Sequence, residues 1–177
     1  MKLRKGSPDA TGLRVGIVVA KFNKLVTSKL LSSCLAELTE QGVKGKDIEV
    51  VQVPGAFEIP LVAKTMAQSG RFNAVICLGA IIRGDTPHFE YISGEVSRGI
   101  GQAALDADVP IIFGVLTTHT MEQAIERAEP TRFNRGGEAA KSAIEMARVM
   151  RKIQRSADRT TMPKLTGNRR ASGRAGT

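Results

Sequence analysis

Apolar positions along the chain alternate between short continuous runs and stretches spaced three and four apart. RVGIVVA (14–20), IEVVQV (48–53), NAVICLGAII (73–82) and DVPIIFGVLT (108–117) are β-branched, near-continuous and bounded by Gly, Pro, Asn or Asp, which predicts strands buried on both faces. Between them, residues 25–41 place Leu31, Cys34, Leu35 and Leu38 at helical spacing, with Gly42 as the stop. A second helix is predicted from Phe57 to Ser69, with Pro60 tolerated in its first turn, and a third from Pro87 to Ala107. Helical segments around 121–129 and 136–153 follow the fourth strand. Strand and helix alternate four times, so the fold class is α/β: a four-stranded parallel sheet between helical layers, a three-layer α/β/α sandwich.

Length and charge refine this picture. A chain of 177 residues favours one domain, placed at 14–153 between an N-terminal extension, 1–13, and a tail, 154–177. The formal charge of +9 resembles a nucleic-acid signal until it is divided along the chain. Residues 151–177 carry eight Lys/Arg against one acid, Asp158, for +7, and the remainder is +2. The tail has no apolar periodicity and reads as a solvated, weakly attached segment. With no Trp and 4% aromatics, platforms for stacking bases are scarce, so nucleic acid is disfavoured as a partner. No apolar run is long enough to cross a membrane, and the opening MKLRKGSPDATG has no hydrophobic stretch behind its charges; the chain reads as cytoplasmic. Cys34 and Cys77 lie in apolar runs without CxxC spacing and read as small buried hydrophobes.

Ligands of an open parallel sheet sit beyond the carboxyl ends of its strands. Four loops occupy that end: 21–23, 54–58, 79–88 and 113–118. They contain no GxGxxG or GxxxxGK[ST], no GxSxG, and no Cys/His/carboxylate cluster at ligand spacing, so neither cofactor nor metal is expected. The loop GAIIRGDTPHFE (79–90) is the informative one. Gly84 permits a tight backbone, Thr86 suits a helix cap and Pro87 its first turn, an arrangement that turns free N–H groups towards an anion. His88, beside that helix start, is either a surface residue or a group that accepts and donates protons. Glu58, behind Pro54-Gly55, is either a dipole-matched surface residue or a ligand for hydroxyls. Phe22 and Phe57 are core residues or a flat wall for a heteroaromatic ring. Arg127 is a solvated helix residue or a bidentate phosphate ligand.

The ordered set KFN (21–23), VPGAFEIP (53–60), GAIIRGDTPHFEYI (79–92), GVLTT (114–118), EQAIERA (122–128) and NRGGEAA (134–140) resembles the lumazine synthase family over residues 14–153. That resemblance implies a flavodoxin-like fold and a transferase of riboflavin biosynthesis with two small-molecule substrates and no cofactor. It condenses 5-amino-6-(D-ribitylamino)uracil with 3,4-dihydroxy-2-butanone 4-phosphate, releasing phosphate. By the family pattern, Phe22, Ala56, Phe57, Glu58, Ala80, Ile81, Ile82 and Phe113 bind the aminouracil, Asp85, Thr86 and Arg127 hold the butanone phosphate, and His88 moves protons. The pattern further implies a homo-oligomer, a pentamer or a multiple up to a 60-subunit icosahedral shell, whose sites take Phe113 and Arg127 from a neighbouring subunit, with riboflavin synthase as a further partner. The rival reading is a flavin- or lumazine-binding shell protein that has lost catalysis. The chain departs from the pattern at Arg135, where most relatives have Lys in an N-K-G triplet, so Arg135 is a supporting candidate whose wider guanidinium alters substrate positioning. His119 stands where acids or amides are usual and reads as a surface residue.

Overall fold

The computed structural model describes residues 3–161. Four parallel strands, β1 (Val15–Ala20), β2 (Ile48–Val53), β3 (Ala74–Ile82) and β4 (Ile111–Thr118), form one sheet in the order β2-β1-β3-β4. The helices are α1 (Lys24–Glu40), α2 (Ile59–Gln68), α3 (His88–Ala107), α4 (Met121–Ala128) and α5 (Arg135–Thr161).

Side chains of a strand alternate between faces, and here that alternation splits the core in two. Val15, Ile17 and Val19 of β1, with Ile76 and Leu78 of β3, pack against α1, α4 and α5 through Leu30, Leu38, Ala124, Ala140 and Ile144. Val18 of β1 and Val75 and Cys77 of β3 meet α2 and α3 through Ile59, Ala63, Val96 and Ile100. The three layers expected from the strand–helix alternation are present. None of the helices among the described residues is long and apolar enough to cross a membrane.

Two glycines let α5 approach closely. A Cβ at Gly136 would lie 2.2 Å from the Leu30 carbonyl oxygen of α1, and one at Gly114 would lie 2.7 Å from the Cys77 carbonyl oxygen and 3.3 Å from Cβ of Ala139. Close backbone approach at Gly136 sets the first turn of α5, which begins at Arg135, against α1.

Several boundaries differ from the sequence reading. β4 begins at Ile111 rather than 108, because Asp108 closes α3 in the left-handed region (φ 52°) and Pro110 precedes the strand. A 3-10 turn, Ala56–Glu58, precedes α2, with Pro60 in the first turn of α2 as expected. Thr86 makes no cap: Pro87 is the N-cap residue and α3 starts at His88 without a side-chain cap. α5 continues to Thr161, eight residues past the expected end of the domain, and the N-terminal segment is tied to it there, Arg4 donating to Lys152 O at 2.6 Å and to Ser156 Oγ at 2.7 Å. The rest of the tail, 162–177, lies outside the described residues. The segment ahead of β1 buries Ala10 and Leu13 completely and is strapped to α5, where Arg148 donates to the carbonyls of Asp9 and Thr11 at 2.7 and 2.8 Å.

Candidate active site

The carboxyl ends of β1, β2 and β3 open onto a cleft of about 530 Å³. Its walls are tied together by backbone. Lys21 N–H donates to Val53 O at 2.8 Å and Phe22 N–H to Pro54 O at 3.1 Å, which locks the loop after β1 onto the loop after β2. Asn23 adopts the left-handed conformation (φ 55°, ψ 45°), tolerated by Asn better than by most residues, and its Nδ2 donates to Ala80 O at 2.8 Å. That bond joins the same loop to the end of β3.

With the backbone so held, Phe22 and Phe57 stay out of the core, 70% and 57% exposed, and both rings line the cleft. Glu58 lines it too, and its Oε2 accepts from Gly55 N–H at 2.8 Å, so the carboxylate shapes the Pro54-Gly55 turn while facing the cavity. Ala80 and Ile81 are buried at the end of β3 and Ile82 half-buried; all three border the cavity. From the far side come Thr86 and His88, at the start of α3. The uncapped N–H groups of a helix start carry partial positive charge, suited to an anion. Nearby, Glu90 is paired with Arg83, whose guanidinium lies 5.3 Å from the Phe89 ring centroid. His119 is exposed, as expected, but stacks on Phe89 with centroids 6.4 Å apart.

Nine of the sequence-predicted residues therefore meet in one cavity: Phe22, Ala56, Phe57, Glu58, Ala80, Ile81, Ile82, Thr86 and His88. Phe113, Arg127 and Arg135 do not join them. They line a second cleft of about 380 Å³, bounded by β4 and the starts and ends of α5 and α4, together with Glu138. Asp85 is exposed and lines neither. Arg127 is half-buried, and its NH1 donates to Gln123 O at 3.1 Å. Arg135 pairs with Glu138 at 2.7 Å.

Of the other lining residues, Asn23 lay in a loop that the sequence placed at the ligand end but without a role, and Phe89 and Ile92 were given none. Asn23 carried a signal, a polar residue directly behind a strand's carboxyl end; Ile92 carried another, four positions after His88 and so on the same helix face. Phe133, whose ring underlies both Arg127 and Arg135, gave none.

Among the described residues no group of three or more His, Cys, Asp or Glu is placed to hold a metal ion. Cys34 and Cys77 are buried, and burial pushes the Cys34 thiol up to about 12 and Cys77 higher still, so both stay protonated, inert thiols.

Against known proteins, a family model described as 6,7-dimethyl-8-ribityllumazine synthase matches residues 12–151. The chain is also similar to a protein of Syntrophus aciditrophicus (strain SB) named 6,7-dimethyl-8-ribityllumazine synthase: the two are 60% identical over 149 residues, which is 84% of this chain and 97% of that protein.

Proposed function

Because the chain belongs to the 6,7-dimethyl-8-ribityllumazine synthase family, a family of transferases in riboflavin biosynthesis, we propose that its two clefts are the two halves of one active site, brought together by neighbouring copies of the chain. The reaction joins 5-amino-6-(D-ribitylamino)uracil and 3,4-dihydroxy-2-butanone 4-phosphate into 6,7-dimethyl-8-ribityllumazine. The ring amine adds to the ketone carbonyl and loses water as an imine; phosphate leaves; the ribityl-bearing nitrogen closes the second ring and a further water departs.

The observation that carries this reading is the division of labour between the clefts. The first holds a flat aromatic wall, a carboxylate and a proton-transfer group, which suits a pyrimidine with a polyol chain. The second holds two guanidinium groups and Phe113, which suits an anion next to an apolar cover. Neither cleft alone meets the needs of the reaction, which must hold a phosphate and a ring amine within bonding distance. Head-to-tail repetition of one interface closes a ring and completes a site at each junction; a pentamer, or a multiple of it up to 60 chains, is the assembly proposed.

In this arrangement Phe22 and Phe57 face the pyrimidine, Glu58 accepts from hydroxyls, and the backbone of Ala80–Ile82 meets the ring edge. The N–H end of α3 beside Asp85 and Thr86, with Arg127 from the neighbouring copy, holds the phosphate, with Arg135 in support. His88, the first residue of α3, is the group assigned to carry a proton to the departing oxygen, beside the N–H groups that draw the phosphate. Holding the reactants at bonding distance removes most of the entropic barrier, and the proton transfer adds to it. Purified protein given both substrates should form the lumazine chromophore without added metal or nucleotide; absence of product at any substrate concentration would overturn the reading.

A further inference from the structure

Arg127 and Arg135 carry like charges into one cleft, and something must hold them there before an anion arrives. A single ring does so. The Arg127 guanidinium lies 5.6 Å from the Phe133 centroid and that of Arg135 6.0 Å from it, both within the reach of cation–π attraction. Among the described residues only Arg135 of the two has a carboxylate partner, Glu138 at 2.7 Å; Arg127 has, besides the ring, only the Gln123 carbonyl. The ring itself is firmly presented. Arg132 N–H and Asn134 N–H both donate to Glu129 O, at 3.3 and 3.0 Å; Asn134 takes the left-handed conformation (φ 42°) and its Oδ1 accepts from Gly137 N–H at 3.0 Å. On either side, Arg132 pairs with Glu126 and Glu129 with Lys29, each at 2.6 Å. Phe133 nonetheless remains 44% exposed, which burial in the core does not explain.

We infer that Phe133 is a positioning residue for the phosphate of the butanone substrate, a shared ring that sets the spacing of the Arg127 and Arg135 guanidinium groups. The inference rests on the assignment of Arg127 to the phosphate made above. A flat delocalised cation presents its edge donors to an anion while its face rests on an aromatic surface; a lysine offers a point charge with no such orientation. The ring's negative face also offsets the repulsion between the two cations while the cleft is empty.

The test is steady-state kinetics of the full chain with each substrate varied in turn. Phe133→Ala and Phe133→Leu should each raise the KM for butanone phosphate about 5- to 30-fold, the scale of losing two exposed cation–π contacts. The aminouracil KM and kcat should stay within about twofold, and Phe133→Tyr, which keeps the ring, should restore the original KM. Arg135→Lys should cost about threefold in the phosphate KM in the parent chain and nothing further on top of Phe133→Ala. A Phe133→Leu variant that matches the parent, a Phe133→Tyr variant that fails like alanine, both KM values rising together, or an Arg135→Lys cost that is the same in both backgrounds would each overturn the inference. Arg127→Ala separates the two layers: if it leaves the phosphate KM unchanged, the site assignment fails; if it raises that KM while the Phe133 variants do nothing, only the role of Phe133 fails.

Discussion

Replacing Arg127 with alanine removes the half-buried guanidinium assigned to the phosphate, and the structure sets the size of the effect. One donor, NH1, is already used on Gln123 O at 3.1 Å, and the group lies over Phe133 at 5.6 Å with no carboxylate partner among the described residues. Its other donors and its whole charge are therefore available to the substrate. Hydrogen bonds to charged groups contribute about 1.5–3 kcal/mol each, and about 1.4 kcal/mol is tenfold in affinity. Arg127→Ala should thus raise the KM for butanone phosphate by about 10- to 100-fold. Arg127→Lys keeps the charge without the planar fork and should fall in between. The assay follows lumazine absorbance at saturating aminouracil with butanone phosphate varied, then the reverse. The aminouracil KM should move by less than about twofold, since that substrate is assigned to the cleft lined by Phe22 and Glu58. An unchanged phosphate KM, or an equal rise for both substrates, would refute the assignment.

Further outcomes follow from other features. His88→Ala should slow kcat by about 100-fold or less, because proton-transfer help is worth about 10²–10⁴ and proximity supplies much of the rest; an unaltered kcat would remove His88 from the chemistry. Gly136→Ala should destabilise the fold by about 2–3 kcal/mol, a drop of several degrees in Tm, although Gly→Ala inside a helix ordinarily stabilises, because the new Cβ would meet Leu30 O at 2.2 Å; a raised Tm would contradict the close packing of α5 on α1. The Cys34 thiol, pushed up to about 12 by burial, binds its proton more tightly folded than unfolded. Its contribution is therefore complete below the ordinary thiol pKa of about 8.5 and fades as the pH climbs from there towards 12. Iodoacetamide at pH 8 should leave both cysteines unmodified until denaturant is added, and labelling of the folded protein would refute their burial.

The layered sheet was legible because its signals are local. Buried parallel strands read as near-continuous apolar runs, and β1, β3 and β4 have them, whereas β2, at the sheet edge, is only partly buried. The first cleft was legible for the same reason: its residues follow directly on the ends of β1, β2 and β3. Misread details are those in which neighbouring backbone competes with side-chain chemistry. Thr86 lost its expected cap to Pro87, and the stretch after Ile153 continued as a helix to which the N-terminal segment is tied, Arg4 donating to Lys152 O and Ser156 Oγ. The pairing of Phe133 with two arginines lay beyond a linear reading, since it depends on how the connection between α4 and α5 folds back at Glu129.

The decisive measurement for a site shared between copies is complementation. One variant, Phe22→Ala/His88→Ala, is crippled in the first cleft, and another, Arg127→Ala/Arg135→Ala, in the second. If each junction takes one cleft from each neighbour, random mixing by co-expression gives about a quarter of junctions two intact halves. Mixed assemblies should then regain about a quarter of the parent's turnover while each variant alone stays near background; activity no greater than the average of the two variants would contradict the shared site.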